Sequence, residues 1–218
     1  MRNSLDKYTH FIWDWNGTIL NDTYLVLEVF NELIGSLGHA PLSLEDYQLL
    51  FRHPIIEMYF ELGVIRSEEE YMELSHQFHD LYGKRSRECS LHHLVLDCLD
   101  CIKLQGKTQS VLSALPQEML DEIVDHHQLS PYFTSLLGHH SKLADSKIAY
   151  GRKWMQRQAF LPQETIMIGD TLHDVEVAEA LGIDCLILPN GYQHSSAFDR
   201  NLTRMLKNFS ELLAELAQ

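Results

Sequence analysis

The chain has 218 residues, 45% of them hydrophobic, and its 31 acidic against 17 basic residues set a formal net charge of −14. That length suffices for one full domain, or for a core domain carrying a smaller insertion. The charge argues against nucleic acid or an anionic membrane as a general partner, and an anionic substrate would have to be drawn in by local positive groups or a metal.

No run reaches the roughly 18 apolar residues of a membrane span. The N-terminal Met1-Arg2-Asn3-Ser4-Leu5-Asp6-Lys7 has no signal-peptide apolar region, so a cytoplasmic protein is expected. Of the four cysteines only Cys98 and Cys101 are close neighbours, and no second pair completes a zinc pattern. They read as small apolar residues one helical turn apart.

Phe11-Ile12-Trp13 predicts a buried strand that delivers Asp14 to its mouth, and Gly17 permits the turn that follows. Asp22 or Thr23 caps a helix running to Ile34, with apolar residues at three- and four-residue spacing. From there to Leu104 the pattern is helical. Ser43-Leu44-Glu45-Asp46 opens one helix, His53-Pro54 a second, Ser67-Glu68-Glu69-Glu70 a long third, and Leu91 to Leu104 makes a fourth.

The character then changes to strands alternating with helices. Thr108 to Ser113 is strand-like, Pro116 opens a helix to about His127, and Tyr132 to Gly138 is a second strand. A helix follows from near Ser146 to Phe160, then a strand from Thr165 to Asp170, a helix from Val175 to Leu181, a strand from Asp184 to Leu188, and a last helix from Ser210 to Ala217. Such alternation implies a parallel sheet in an α/β, Rossmann-like three-layer core. The division expected is a core of residues 1–22 and 104–218, with an inserted all-helical cap of residues 23–103. Entering at the turn that bears Asp14, the cap should overhang it, exclude water and read the substrate.

Five residues, in four segments, fall at strand ends or helix starts of this core: Asp14, Ser113, Lys147 and the Asp170/Asp174 pair. In a parallel sheet, strand ends of one polarity share an edge, so these groups can converge. Converging carboxylates suit Mg²⁺, and metal plus lysine would neutralise the repulsion between an attacking carboxylate and an anionic phosphate. An aspartate needs no base to activate it at neutral pH, and its product is an aspartyl-phosphate. For the lysine, Lys142 competes with Lys147, but the separation to Asp170 favours Lys147.

The run Phe11-Ile12-Trp13-Asp14-Trp15-Asn16-Gly17-Thr18 resembles the first motif of the haloacid dehalogenase-like hydrolases, with Asp14 at the nucleophile position. Ser113, with Ala114, looks like the second motif, Lys147 like the third, and Gly169-Asp170 with Asp174 like the fourth. The resemblance covers nearly the whole chain and is greatest to the phosphoglycolate-phosphatase-like branch with a helical cap. It implies a Mg²⁺-dependent phosphatase acting on a small phosphorylated metabolite through phospho-Asp14. It also implies metal ligation by Asp14, Asp170, Asp174 and the backbone carbonyl of Asn16, with Thr18, Ser113 and Ala114 contacting substrate.

One position departs from the motif. Asn16 stands where the family has a second acid, the group that protonates the leaving oxygen and then activates water. An amide does neither, and such assistance is worth roughly 10²–10⁴-fold. The alternatives are therefore a weakly active or non-catalytic phosphate-binding sensor, or a phosphotransferase. Arg52 and His53 are candidate substrate contacts from the cap, and Trp15 either walls the pocket or packs. Among the thirteen histidines, two of the adjacent pairs are His126-His127 and His139-His140; neighbouring side chains point to different faces, so neither is a ready chelate. His140 reads as a solvated loop residue.

Overall fold

The computed structural model describes residues 5–139, 147–199 and 203–217. In chain order its strands and helices are β1 (His10–Trp13), β2 (Leu20–Asn21), α1 (Thr23–Ser36), α2 (Leu44–Leu50), α3 (Ile56–Glu61), α4 (Glu68–Arg85), β3 (Ser90–Leu91) and α5 (Val95–Leu104). There follow β4 (Thr108–Pro116), α6 (Gln117–His126), β5 (Ser135–His139), α7 (Lys147–Met155), β6 (Thr165–Gly169), α8 (Leu172–Leu181), β7 (Asp184–Ile187) and α9 (Phe209–Leu216).

Five strands form one parallel sheet in the order β5-β4-β1-β6-β7. Every residue of β1 and β6 is buried, as expected of strands covered on both faces. Alternate side chains of β1 sort to opposite layers. Phe11 and Trp13 join the larger core with Leu99 of α5, Ile123 of α6 and Phe209 of α9. Ile12 joins Leu112, Met167 and Val177 in a smaller cluster under α7 and α8. The result is the expected three-layer α/β core. β1 lies where strand order reverses, with β4 and β6 on either side, and its carboxyl end is the natural place for a ligand site.

The chain leaves this core at β2 and returns at β3, which pair antiparallel through Leu20 with Leu91 and Asn21 with Ser90. Helices α1 to α4 lie between them. Ser43 and Ser67 cap α2 and α4 by accepting from the N–H groups of Asp46 and Glu70, as their sequence patterns predicted. The helix α5, expected to close the insertion, packs on the core instead. Gln109 donates to Leu99 O at 3.0 Å, Cys98 Sγ lies 3.7 Å from Phe209 O, and Gln105 donates to Leu216 O at 2.5 Å. An amphipathic period reports that a helix has a buried face, but not which layer buries it. Among the described residues, no helix is long and apolar enough to cross a membrane.

Candidate active site

Asp14 follows β1 directly, and its N–H donates to Ile168 O of β6 at 2.8 Å, continuing the ladder. Asp170 follows β6, and Asp174 sits in the first turn of α8. Asp174 Oδ2 accepts from the N–H groups of Asp170 and Thr171, at 3.2 and 3.0 Å, and from Thr171 Oγ1 at 2.8 Å. Lys147 opens α7, and its buried ammonium donates to Asp14 Oδ1 and Asp174 Oδ1, both at 2.7 Å. Asp170 accepts from Thr18 Oγ1 through Oδ1 and from the Tyr192 N–H through Oδ2, each at 2.7 Å. Of the groups that the sequence places at strand ends and helix starts, Asp14, Lys147, Asp170 and Asp174 therefore meet at one point.

One oxygen from each of Asp14, Asp170 and Asp174 lies within 4.8 Å of the others, and all three residues are buried. A single lysine leaves two negative charges uncompensated there. Burial, and then the neighbouring carboxylates, push Asp170 well above the ordinary carboxylate range. Burial likewise raises Asp14 to about 7, with the Lys147 charge pulling the other way. Asp174 ends below its ordinary value, because Lys147 and the Thr171 donors outweigh its burial. Burial disfavours the Lys147 ammonium, yet the two aspartates keep it charged. A cluster of hard oxygens that would leave a surplus of about two negative charges when fully ionised fits a divalent cation such as Mg²⁺.

Close backbone approach makes this packing possible. Gly17 has φ +74°, and a Cβ there would sit 2.5 Å from Asp170 Oδ2. At Gly191, after β7, a Cβ would fall 2.0 Å from the same oxygen and 2.6 Å from Gly17 O.

A second network lies behind Asn16. Asp22 is fully buried and accepts four hydrogen bonds: from Asn16 Nδ2 at 2.7 Å, Gly17 N–H at 2.9 Å, Tyr82 OH at 2.6 Å and Tyr192 OH at 2.7 Å. It ties the turn after β1 to α4 of the insertion and to the loop after β7. The same loop holds the insertion elsewhere. Gln193 donates to Phe51 O at 3.1 Å and Gln48 to Gly191 O at 2.7 Å. Sequence reasoning took Asp22 as a helix cap and passed over Tyr82 and Tyr192. The turn signal Pro189-Asn190-Gly191 at a strand end was the one available pointer to the last.

Above the carboxylates opens a cavity of about 190 Å³. Asp14, Asn16, Lys147 and Asp174 form part of its wall, and the inserted helices contribute Phe30, Tyr47, Met58, Tyr59, Phe78 and Tyr82. His53 and Ala114 also line it.

Three expected substrate contacts are placed otherwise. Arg52 pairs with Glu61 and donates to Leu50 O at 3.2 Å, so its charge is satisfied beside α3 and it is not part of the cavity wall. Thr18 is buried, with its hydroxyl spent on Asp170. Ser113 is buried, and its Oγ accepts from Leu115 N–H at 3.1 Å, so its neighbour Ala114 reaches the wall instead. Trp15 is buried in the core and is not part of the wall. Lys142 and His140 lie outside the described residues.

The model of the haloacid dehalogenase-like hydrolases matches residues 11–188. The chain belongs to that family. Among similar proteins, the phosphoglycolate phosphatase of Aliivibrio fischeri is 23% identical over 154 residues, 70% of this chain and 63% of that one. The phosphoglycolate phosphatase of Vibrio parahaemolyticus is 23% identical over 216 residues, 94% of each chain. A crystal structure of a predicted phosphatase from Clostridium acetobutylicum superposes with a TM-score of 0.82 at 17% identity, covering 96% of this hydrolase and 98% of that chain.

Proposed function

We propose that this hydrolase is a Mg²⁺-dependent phosphatase that cleaves a small phosphate monoester through a phosphoryl group carried on Asp14. The observation that carries the reading is the convergence of Asp14, Asp170 and Asp174 on the Lys147 ammonium at the carboxyl end of the central strand. Family membership and the phosphoglycolate phosphatases among its relatives support the same chemistry.

Asp14, Asp170 and Asp174 would hold the Mg²⁺, which supplies charge neutralisation and orientation of the phosphoryl oxygens. Asp14 is the nucleophile. Its oxygen not held by Lys147 forms the new bond to phosphorus as the ester P–O bond breaks, and the leaving oxygen departs with the electron pair and takes a proton from water. Water then cleaves the acyl phosphate, regenerating the carboxylate and releasing phosphate. Lys147 neutralises Asp14 so that an anion can approach an anion, and Asp174 holds that lysine in place. Thr18 orients Asp170 from below. The helices α1 to α4 act as the cap, which excludes water and confines the leaving group.

Asn16 shapes the kinetics. Its amide nitrogen is bound to Asp22 and Tyr82, and it offers neither a proton nor a base. With an aryl ester, whose phenolate leaves without a proton, breakdown of phospho-Asp14 is therefore the slow step.

The test is a panel of phosphate monoesters assayed with Mg²⁺ and with chelator, on the native chain and on Asp14→Asn. Mg²⁺-dependent phosphate release that vanishes in Asp14→Asn is expected. Activity retained by Asp14→Asn rules out the nucleophile, and no release from any ester removes the phosphatase reading.

A further inference from the structure

The wall that would face the leaving group is unusually poor in charge for a site that handles anions. Its surface is built from Phe30, Tyr47, Phe51, Met58, Tyr59 and Phe78. Edge-to-face contacts join several of these rings, with centroids 5.5 Å apart for Phe30–Tyr47 and 5.3 Å for Phe30–Tyr59. Among the described residues Lys147 is the one lysine or arginine on the wall, and two carboxylates already hold it. The nearest arginine of the insertion, Arg52, is turned to Glu61. Of the three histidines on the wall, burial pushes His53 down to about 3 and lowers His79, and His173 is paired with Glu176 at 3.0 Å.

A carboxylate on the substrate, such as that of phosphoglycolate, would be buried there with no lysine or arginine to pair with, which is costly. An uncharged ring would fit. An apolar cavity of about 150 Å³ holds a benzene molecule, and about 190 Å³ is available here.

Asn16 selects in the same direction by a separate route. An alkoxide leaving group needs a proton from an acid at that position, whereas a phenolate departs without one. Both the wall and the missing acid favour an aromatic alcohol.

We infer that the substrate class is the phosphate monoester of an uncharged, single-ring aromatic alcohol, bound with its ring against Phe30, Tyr59 and Phe78 and its phosphate over Asp14. The inference rests on the phosphatase reading and narrows it.

The experiment compares kcat/KM, with Mg²⁺, for phenyl phosphate, 4-methylphenyl phosphate, 4-carboxyphenyl phosphate and phosphoglycolate. The two uncharged aryl esters should agree within about threefold. The carboxyphenyl ester should fall at least about tenfold below them despite its better leaving group, and phosphoglycolate about a hundredfold, because a buried unpaired carboxylate is penalised. Ser75, also on the wall, provides a gain-of-function arm. Ser75→Lys should restore the carboxyphenyl ester relative to phenyl phosphate by about tenfold, the worth of one compensating charge. Equal or better turnover of phosphoglycolate or the carboxyphenyl ester by the native chain overturns the inference while leaving the phosphatase reading standing. Failure of all four esters overturns both.

Discussion

Replacing Asp22 by alanine tests whether the network behind Asn16 holds the insertion to the core. The carboxylate is fully buried and accepts from four donors on three segments: Asn16 and Gly17 in the nucleophile turn, Tyr82 on α4, and Tyr192 after β7. Asp22→Ala strands all four. A buried donor left without a partner costs about 1–3 kcal/mol, and breaking a buried charged network by removing one member costs about 3–5 kcal/mol in total. A loss of about 3–5 kcal/mol is therefore expected, which for a chain of this size lowers Tm by roughly 6–20 °C. Asp184→Ala is the matched control. Asp184 also accepts two bonds, from Lys7 at 2.7 Å and Tyr8 at 2.6 Å, but its side chain is 52% exposed. A pair so exposed contributes about 0–1 kcal/mol. Thermal and denaturant unfolding of both variants decides the matter, with hydrogen exchange expected to rise in α4 of Asp22→Ala alone. If Asp22→Ala costs no more than Asp184→Ala, the network does not carry the load assigned to it.

Three further outcomes follow from the geometry. Without metal, the raised Asp14 and Asp170 carboxyls keep protons that the unfolded chain has already released, so their contribution to stability falls as pH rises from the ordinary carboxylate range through about 7. Asp174 acts oppositely and loses its contribution only as pH drops below that range. Added Mg²⁺ should accordingly raise Tm more at pH 8 than at pH 5, and a stabilisation independent of pH would contradict the metal assignment. In Gly191→Ala the new methyl would meet Asp170 Oδ2 at 2.0 Å and Gly17 O at 2.6 Å. Overpacking of that kind costs about 1–3 kcal/mol, and Mg²⁺ affinity by calorimetry should fall with it. Asn16→Asp should speed steady-state turnover of an aryl phosphate by roughly tenfold or more, because an acid at that position activates the water that cleaves phospho-Asp14. An unchanged steady-state rate would mean that residue 16 does not limit that step.

The converging carboxylates and lysine were legible because each sits where a periodic element ends. Asp14 and Asp170 close continuous apolar runs, and Asp174 stands three residues beyond the helix-opening Thr171. The caps at Ser43 and Ser67 followed the same local logic. What escaped was long-range. Tyr192 meets Asp22 across 170 positions, and no local pattern distinguishes it from a surface tyrosine. Arg52 looked free because its partner Glu61 lies beyond the next turn of chain, and Thr18 and Ser113 looked aimed at substrate because a motif names a residue without its rotamer. The two-residue strands β2 and β3 are too short to carry a period, so the point where the inserted helices rejoin the core was invisible. That hid the place of α5 as well.

In the proposed reaction Asp14 takes up the phosphoryl group and Asn16 makes its release slow. Rapid mixing of the native chain with an activated aryl phosphate and Mg²⁺ measures both at once. A burst of phenolate equal to the enzyme concentration, then slower steady release, is expected, with no burst in Asp14→Asn. Linear release from the first turnover, or a burst that survives in Asp14→Asn, would contradict it.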